Sequence, residues 1–157
     1  MKKQLDLFDN EIDKEFVKIK VWRNDLVELH FDDYLVNRLG QIWSVKKNSF
    51  LKPQTNKHRG GYCQVSLKNK VTANETNYVL KRNWKMRNKS GAKNFFIHRI
   101  VACTFLNNPD KNFFRVVNHI DHNPQNNKLE NLEWVTSSEN KLFFYNRFKN
   151  KNQLEIF

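Results

Sequence analysis

The chain has 157 residues and a formal net charge of +12 at pH 7, from 28 Lys and Arg against 16 Asp and Glu. This excess of positive charge favours polyanionic partners, with nucleic acid first and an anionic membrane surface second. No apolar run has the length of a membrane span and no apolar signal segment opens the sequence, so we expect a cytoplasmic protein that forms one compact unit or two small lobes with a shared core.

Residues 1–15 are expected to form a flexible N-terminal segment. A stretch within it resembles the short peptide by which bacterial proteins bind the replication sliding clamp. The positions that carry this likeness are Gln4, Leu5, Leu7 and Phe8. An extended peptide of this kind can fill an apolar pocket with its leucine and phenylalanine. The alternative is a short amphipathic helix that packs on the body. Residues 153–157 repeat the pattern loosely, and a hydrophobic tail folded on the core explains them more simply.

The first β signals lie in residues 16–52. Residues 16–22 alternate apolar and polar side chains, as a half-buried strand does. Residues 31–36 lead into the turn signal of residues 37–40, and a further strand is indicated at 41–45. Within this region Leu39 and Ile42 are interpreted as core residues.

Basic side chains between residues 46 and 89 are candidates for phosphate contacts, although each one alone is more often a solvated charge. Residues 81–93 hold six basic residues, no acid and one tryptophan, Trp84. Such a stretch can neutralise phosphates and wedge an aromatic ring into a groove. The alternative is a long surface hairpin whose Trp84 packs on its own stem. The candidates are Lys46, Lys47, Lys52, Lys57, Arg59, Lys81, Arg82, Lys85, Arg87 and Lys89.

Residues 95–106 indicate a strand that passes into an amphipathic helix. His98 is placed either near a functional site or in the core with a hydrogen bond to the backbone. Arg99 is expected either to bind a phosphate or to pair with Glu130 or Glu133. The two cysteines lack CxxC spacing, which argues against structural zinc and a disulfide framework and favours buried thiols.

The most informative stretch is Asn118–Asn140, with the sequence NHIDHNPQNNKLENLEWVTSSEN. It reads as the end of a strand, a polar loop, a strand at 132–135 and a helix. The helix start is indicated by Thr136 with Glu139 three residues later, the spacing of a capping box. An imidazole titrates near neutral pH and can take a proton from water, and amide oxygens are hard donors suited to Mg²⁺ or Mn²⁺.

These residues resemble the HNH nuclease motif with its ββα-metal fold, in the phage and intron-homing branch. The resemblance implies that His119 is the general base, that Asn131 holds its ring, and that Asn118 and Asn140 bind one divalent ion. The family usually has glycine where this chain has His122, so that residue must tolerate a turn with positive φ. Other branches use an acid or histidine at the two Asn positions, so we expect weak metal affinity without DNA.

The resemblance extends upstream. Residues 34–44, 50–53 and 61–67 are similar to the small module that precedes HNH motifs, whose implied role is DNA contact, and residues 68–94 depart most from it. The predicted fold class is α+β, a small antiparallel β module followed by a ββα-metal (HNH) nuclease core. The expected division is a flexible segment at 1–15, a β-rich DNA-contact module at 16–94, the nuclease core at 95–150 and a tail at 151–157.

The expected function is metal-dependent hydrolysis of double-stranded DNA by a homing-type endonuclease of a phage or mobile element, acting in a bacterial or phage-infected cell. One Mg²⁺ or Mn²⁺ per site is implied. The alternatives are a DNA-binding protein of the same fold that does not cut, an RNA-processing nuclease, and an accessory protein of the sliding clamp.

Overall fold

The computed structural model of the chain describes residues 16–22, 28–56, 60–68 and 92–154. The N-terminal segment with its predicted clamp peptide, the basic positions 57, 59 and 81–89, and residues 155–157 lie outside the described residues. The strands are β1 (Val17–Trp22), β2 (Glu28–Val36), β3 (Ile42–Ser44), β4 (Ser49–Phe50), β5 (Gln54–Asn56), β6 (Tyr62–Lys68), β7 (Ala92–Phe96), β8 (Val116–His119) and β9 (Leu132–Val135). The helices are α1 (Ile97–Phe105) and α2 (Ser137–Leu154).

Three antiparallel sheets make up the β structure. The first has the order β1-β2-β3-β4, the second β5-β6-β7, and the third is the hairpin β8-β9. The alternation predicted for β1 is present, because Ile19 and Val21 are buried while their neighbours Lys18 and Lys20 are exposed. Pairing of β1 with β2 places Ile19 opposite Phe31, so the buried faces of both strands coincide.

Helix α1 packs against all three sheets through one apolar face. Its residues Ile97, Ile100 and Val101 are almost fully buried and belong to the same hydrophobic cluster as Phe31 and Leu67. The upstream strands and the C-terminal hairpin therefore share one core in the described part of the chain. The α+β fold class with antiparallel strands followed by a helix is confirmed.

Helix α2 begins as predicted and continues further than predicted. The amide of Thr136 donates to Glu139 Oε2 at 2.7 Å, and the amide of Glu139 donates to Thr136 Oγ1 at 3.2 Å, which is a reciprocal capping box. The first residues of the expected tail at 151–157 are helical, because α2 runs to Leu154. The polar residues beyond 148 include lysine and glutamine, which are good helix formers, and neither glycine nor proline interrupts them.

No helix in the described ranges is long and apolar enough to cross a membrane.

Candidate active site

The hairpin β8-β9 places consecutive side chains on opposite faces. His119 lies opposite Leu132 and is buried, with 5% of its surface exposed, whereas Asn118 lies opposite Glu133 and is half-buried. Two adjacent residues thus face different surroundings. The imidazole is partly shielded from water, and the Asn118 amide lies beside a carboxylate.

One cleft of about 240 Å³ brings together the residues that the sequence singled out. Asn118 and His119 reach it from the end of β8, and Asn140 reaches it from the first turn of α2. Aromatic side chains form much of the rest of its wall. They are Tyr62, Phe143 and Phe144. We call this space the His119 cleft. The predicted base and the two predicted metal ligands therefore share one cavity, although 21 residues lie between Asn118 and Asn140 in the sequence.

Asn131 does not hold the ring of His119 as expected, and this is a correction. Its Oδ1 accepts the amide of Asp121 at 2.9 Å, and its Nδ2 donates to Asp121 Oδ1 at 2.9 Å and to the carbonyl of Asn126 at 2.8 Å. These contacts engage both Nδ2 hydrogens and one lone pair of Oδ1 with the polar loop. Asn131 therefore fixes the backbone that follows His119, because the amide of Ile120 also donates to the Asn131 carbonyl at 2.9 Å.

The amide that faces the imidazole belongs to Asn127, which the sequence analysis missed. Asn127 Oδ1 lies 3.4 Å from His119 Nε2, a long hydrogen bond, and Asn127 is only 7% exposed. Its Nδ2 donates to the carbonyl of Gln125 at 2.9 Å, so its Oδ1 must point toward the ring. Since an amide oxygen only accepts, Nε2 of His119 carries the proton and Nδ1 keeps the lone pair.

Aromatic rings hold the other sides of the imidazole. The His98 ring packs edge-on against His119 with centroids 5.0 Å apart, and Tyr62 lies 5.7 Å from His119. His98 itself is stacked on Phe96 at 5.4 Å. His98 is thus buried and contacts the predicted base, but the described residues do not show the hydrogen bond to the backbone that was the alternative expectation. Its Nδ1 finds no hydrogen-bond partner among the described residues.

Burial keeps both imidazoles neutral near pH 7. Desolvation lowers the pKa of His119 and outweighs the hydrogen bond that Nε2 donates to Asn127 and the charge of Asp121, both of which raise it. Desolvation, followed by the charges of His119 and Arg99, lowers the pKa of His98 to about 3. A neutral His119 is the form that can accept a proton.

The buried His98 makes a testable contribution to acid sensitivity. Because its pKa falls from 6.5 in the unfolded chain to about 3 in the folded chain, the unfolded state binds the extra proton first as pH drops. The contribution of the neutral His98 to the free energy of unfolding is therefore fully present above pH 6.5 and is lost as pH falls toward 3. Between pH 6.5 and 4.5 we expect the free energy of unfolding to fall by roughly 2–3 kcal/mol from this group.

Urea denaturation at several pH values checks this expectation. His98→Phe, which keeps an aromatic ring among aromatic neighbours, should remove the larger part of the slope. His30→Gln, which removes an exposed imidazole from β2, should retain it. An unchanged slope in His98→Phe would show that acid destabilisation arises elsewhere.

The donor set around the cleft fits a hard divalent cation. Asn118 Nδ2 donates to Glu133 Oε1 at 2.8 Å, which leaves Asn118 Oδ1 as the free atom of that amide. The neutral oxygens of Asn118 and Asn140 beside a carboxylate suit Mg²⁺ or Mn²⁺ better than a soft metal. In the described ranges no three residues among His, Cys, Asp and Glu are grouped as a thiolate- or imidazole-rich metal site would require.

The loop between the two strands accommodates His122 where the motif usually has glycine. His122 adopts φ 58°, which confirms that the position requires positive φ. Asp121 Oδ1 accepts the amide of Asn123 at 2.8 Å, and Asp121 Oδ2 accepts Asn126 Nδ2 at 2.7 Å. These hydrogen bonds lower the pKa of the Asp121 carboxyl, and the bond from Asn126 has the largest effect. The loop is thus ordered by its own polar side chains.

The predicted phosphate contacts divide into three groups. Lys46, Lys47 and Lys52 are exposed on and after the β3-β4 turn. Arg99 donates Nη1 to the carbonyl of Arg115 at 2.9 Å and its guanidinium lies 5.8 Å from the Trp134 ring centroid. Its expected pairing with Glu130 or Glu133 is therefore wrong, and its observed contacts join α1 to the hairpin. The remaining predicted positions lie outside the described residues.

Known proteins resemble this part of the chain in sequence. Residues 96–142 match the family model of the HNH endonucleases. The sequence is 36% identical to an HNH endonuclease of Acanthamoeba polyphaga mimivirus. The aligned 132 residues are 84% of this chain and 32% of that protein. It is also 31% identical to the DNA endonuclease I-HmuI of Bacillus phage SP01. The aligned 107 residues are 68% of this chain and 48% of that protein.

The fold is shared as well. The solved structure of DNA binding and cleavage by the HNH homing endonuclease I-HmuI matches with a TM-score of 0.55 at 27% identity, over 78% of this chain and 60% of that chain. This chain spans between about a third and a half of the length of the two curated relatives described above. The family-model match, the relatives and the shared fold together show that residues 96–142 are similar to the HNH endonucleases and that the chain is related in sequence and fold to the HNH homing endonuclease I-HmuI.

Proposed function

We propose that the chain is a metal-dependent endonuclease that hydrolyses phosphodiester bonds of double-stranded DNA. The observation that carries this proposal is the meeting of His119, Asn118 and Asn140 in one cleft. The HNH match and the net charge of +12 supply the reaction class and the polyanionic substrate.

In the proposed mechanism, His119 acts as the general base. Its Nδ1 lone pair takes the proton of a water molecule as that water attacks phosphorus, while Nε2–H remains directed at Asn127 Oδ1. The contacts with His98 and Tyr62 restrict rotation of the ring. Positioning matters because a poorly oriented base contributes little to the rate.

The oxygens of Asn118 and Asn140 would hold one Mg²⁺ or Mn²⁺. When bound, the ion supplies positive charge that stabilises the developing charge on the phosphate and on the leaving 3′ oxygen. Glu133 orients Asn118 by accepting its Nδ2 hydrogen. At the start of α2, the capping box engages the amides of Thr136 and Glu139 with the chain's own side chains, so we assign the phosphate no contact with these two groups.

We further propose that Lys46, Lys47 and Lys52 bind the DNA backbone, since they are exposed on one connected stretch around β4. The predicted basic residues outside the described ranges remain candidates for the same role. The proposed division of labour is a DNA-contact module at residues 16–94 and the nuclease core at 95–150. Docking of the N-terminal peptide on a sliding clamp stays a prediction.

Incubation with supercoiled plasmid tests the proposal. We expect nicked or linear DNA with Mn²⁺ or Mg²⁺ and intact plasmid with EDTA. Without a divalent ion, no positive charge at Asn118 and Asn140 stabilises the charge that develops on the phosphate. A matched RNA duplex and a gel-shift assay run beside it. Gel-shift binding without cutting under any metal condition would identify a DNA-binding protein that does not cut. Faster cleavage of the RNA would identify an RNA nuclease.

A further inference from the structure

The turn between β2 and β3 is held together by one buried asparagine. Asn37 is 2% exposed, and its Oδ1 accepts the amides of Leu39 at 3.1 Å and Gln41 at 2.9 Å. Its Nδ2 donates to Gln41 Oε1 at 2.8 Å. Backbone bonds from Gly40 to Asn37 and from Asn37 to Gln41 close the same turn. The turn is therefore a stiff element with its polar groups satisfied internally.

This turn sits directly on the polar loop of the nuclease domain. The carbonyl of Arg38 accepts the amide of Leu129 at 2.8 Å. Gly40 is buried at φ +78°, and a Cβ on it would lie 3.0 Å from the carbonyl oxygen of Asn127 and 3.1 Å from its Cβ. Only a glycine allows the turn and the loop to approach this closely.

Asn127 is the residue that connects this contact to the chemistry. Its backbone rests on Gly40, and its side-chain Oδ1 faces His119 Nε2 at 3.4 Å. Among the described residues, Asn127 is the one whose side-chain amide forms a hydrogen bond with the His119 ring. A displacement of the Asn127 backbone therefore moves the partner of that ring. The turn is two contacts from the imidazole.

We propose that the Asn37–Gln41 turn is a positioning element for His119, and that Gly40 is a positioning residue which acts through Asn127. This inference rests on the proposed nuclease function. It gives this part of the upstream module a role in the rate of cleavage that is separate from DNA contact.

The test compares Gly40→Ala with Gly61→Ala. Both glycines have φ +78°, but a Cβ on Gly61 meets only Pro124 Cγ at an ordinary 3.6 Å. Both variants therefore place a Cβ at the same positive φ, but only the first pushes on Asn127, with a further contact to Ile97 Cγ2 at 3.3 Å. We expect Gly40→Ala to lower kcat for plasmid cleavage by roughly 10- to 100-fold, with KM and gel-shift affinity unchanged. Gly61→Ala should retain the wild-type kcat.

A second background separates action through Asn127 from a general structural effect. In Asn127→Ala, the further change Gly40→Ala should produce no additional loss of kcat. Gln41→Ala, which removes only the bond from Asn37 Nδ2, is the milder variant if Gly40→Ala fails to fold. It should lower kcat less, and again only when Asn127 is present.

A readout independent of cleavage distinguishes failure of this inference from failure of the nuclease proposal. The ¹⁵N and ¹H signals of the His119 imidazole should shift in Gly40→Ala and stay in place in Gly61→Ala, whether or not the protein cuts DNA. Unchanged His119 signals in Gly40→Ala and Gln41→Ala, or equal losses of kcat with and without Asn127, would overturn the positioning role. Absence of cleavage by the wild type would overturn only the nuclease proposal.

Discussion

His119→Ala is expected to lower the rate of metal-dependent plasmid cleavage by roughly 10²- to 10⁴-fold, the contribution of a positioned general base. The physical reason is that the proposed mechanism uses the imidazole as the proton acceptor, with Nε2 engaged by Asn127 and Nδ1 left free. Rates measured under single-turnover conditions with saturating Mn²⁺ check this result. DNA affinity in a metal-free gel shift should change little, because the ring is only 5% exposed and neutral near pH 7 and so adds little to the electrostatic contacts that hold the DNA backbone.

Two controls make the His119 experiment specific. His30→Ala removes an exposed imidazole from β2 and should keep full activity. Thermal unfolding of His119→Ala should show a folded protein, since His119 lines the cleft and does not belong to the hydrophobic cluster around α1. Equal cleavage rates for wild type and His119→Ala would remove this residue from the mechanism.

Asn118→Ala and Asn140→Ala are each expected to weaken Mn²⁺ binding by at least about tenfold, because each removes one of the two oxygens assigned to the ion. Titration of Mn²⁺ followed by electron paramagnetic resonance, in the presence of bound DNA, measures this directly. DNA is included because two neutral amides alone should bind the ion weakly. Asn107→Ala, at an exposed position after α1, is the matched control and should leave the affinity unchanged.

Asn118→Asp should have the opposite effect on the ion. A carboxylate binds Mn²⁺ more strongly than an amide oxygen, so the Mn²⁺ affinity should rise. The metal-free protein should become less stable, because the new charge lies where Asn118 now contacts Glu133 at 2.8 Å. Mn²⁺ affinities that do not respond to any of these changes would place the metal elsewhere.

Local signals in the sequence were sufficient for the main elements of the fold. The alternation around Ile19 predicts β1, and the Thr136–Glu139 spacing predicts the start of α2, because both depend on side chains close in sequence. The end of α2 depends on the same kind of signal. The polar residues beyond 150 favour a tail, whereas the propensities of lysine and glutamine allow the helix to continue to Leu154.

The site divides in the same way. Residues 118 and 119 lie next to each other at the end of a strand, so the sequence places them together without further information. Which asparagine faces the imidazole depends on the path of a loop that holds four of them, and Asn127 and Asn131 look equivalent in sequence. Only the loop's hydrogen bonds separate their roles, since Asn131 is engaged by Asp121 and Asn126.

Contacts between the upstream turn and the nuclease loop lie furthest from what sequence patterns can show. Gly40 and Asn127 are 87 positions apart, and neither the turn signal nor the loop composition indicates that they touch. The same holds for Tyr62 and His98, whose rings meet His119 from two different elements. Such contacts follow from how the shared core brings the sheets together.

The most direct test is a crystal structure with DNA and Mn²⁺, in which anomalous scattering locates the ion. The account predicts one Mn²⁺ within about 2.5 Å of Asn118 Oδ1 and Asn140 Oδ1, beside a DNA phosphate, with a water between His119 Nδ1 and phosphorus. An ion bound away from both amides, or a phosphate that His119 cannot approach, would contradict it.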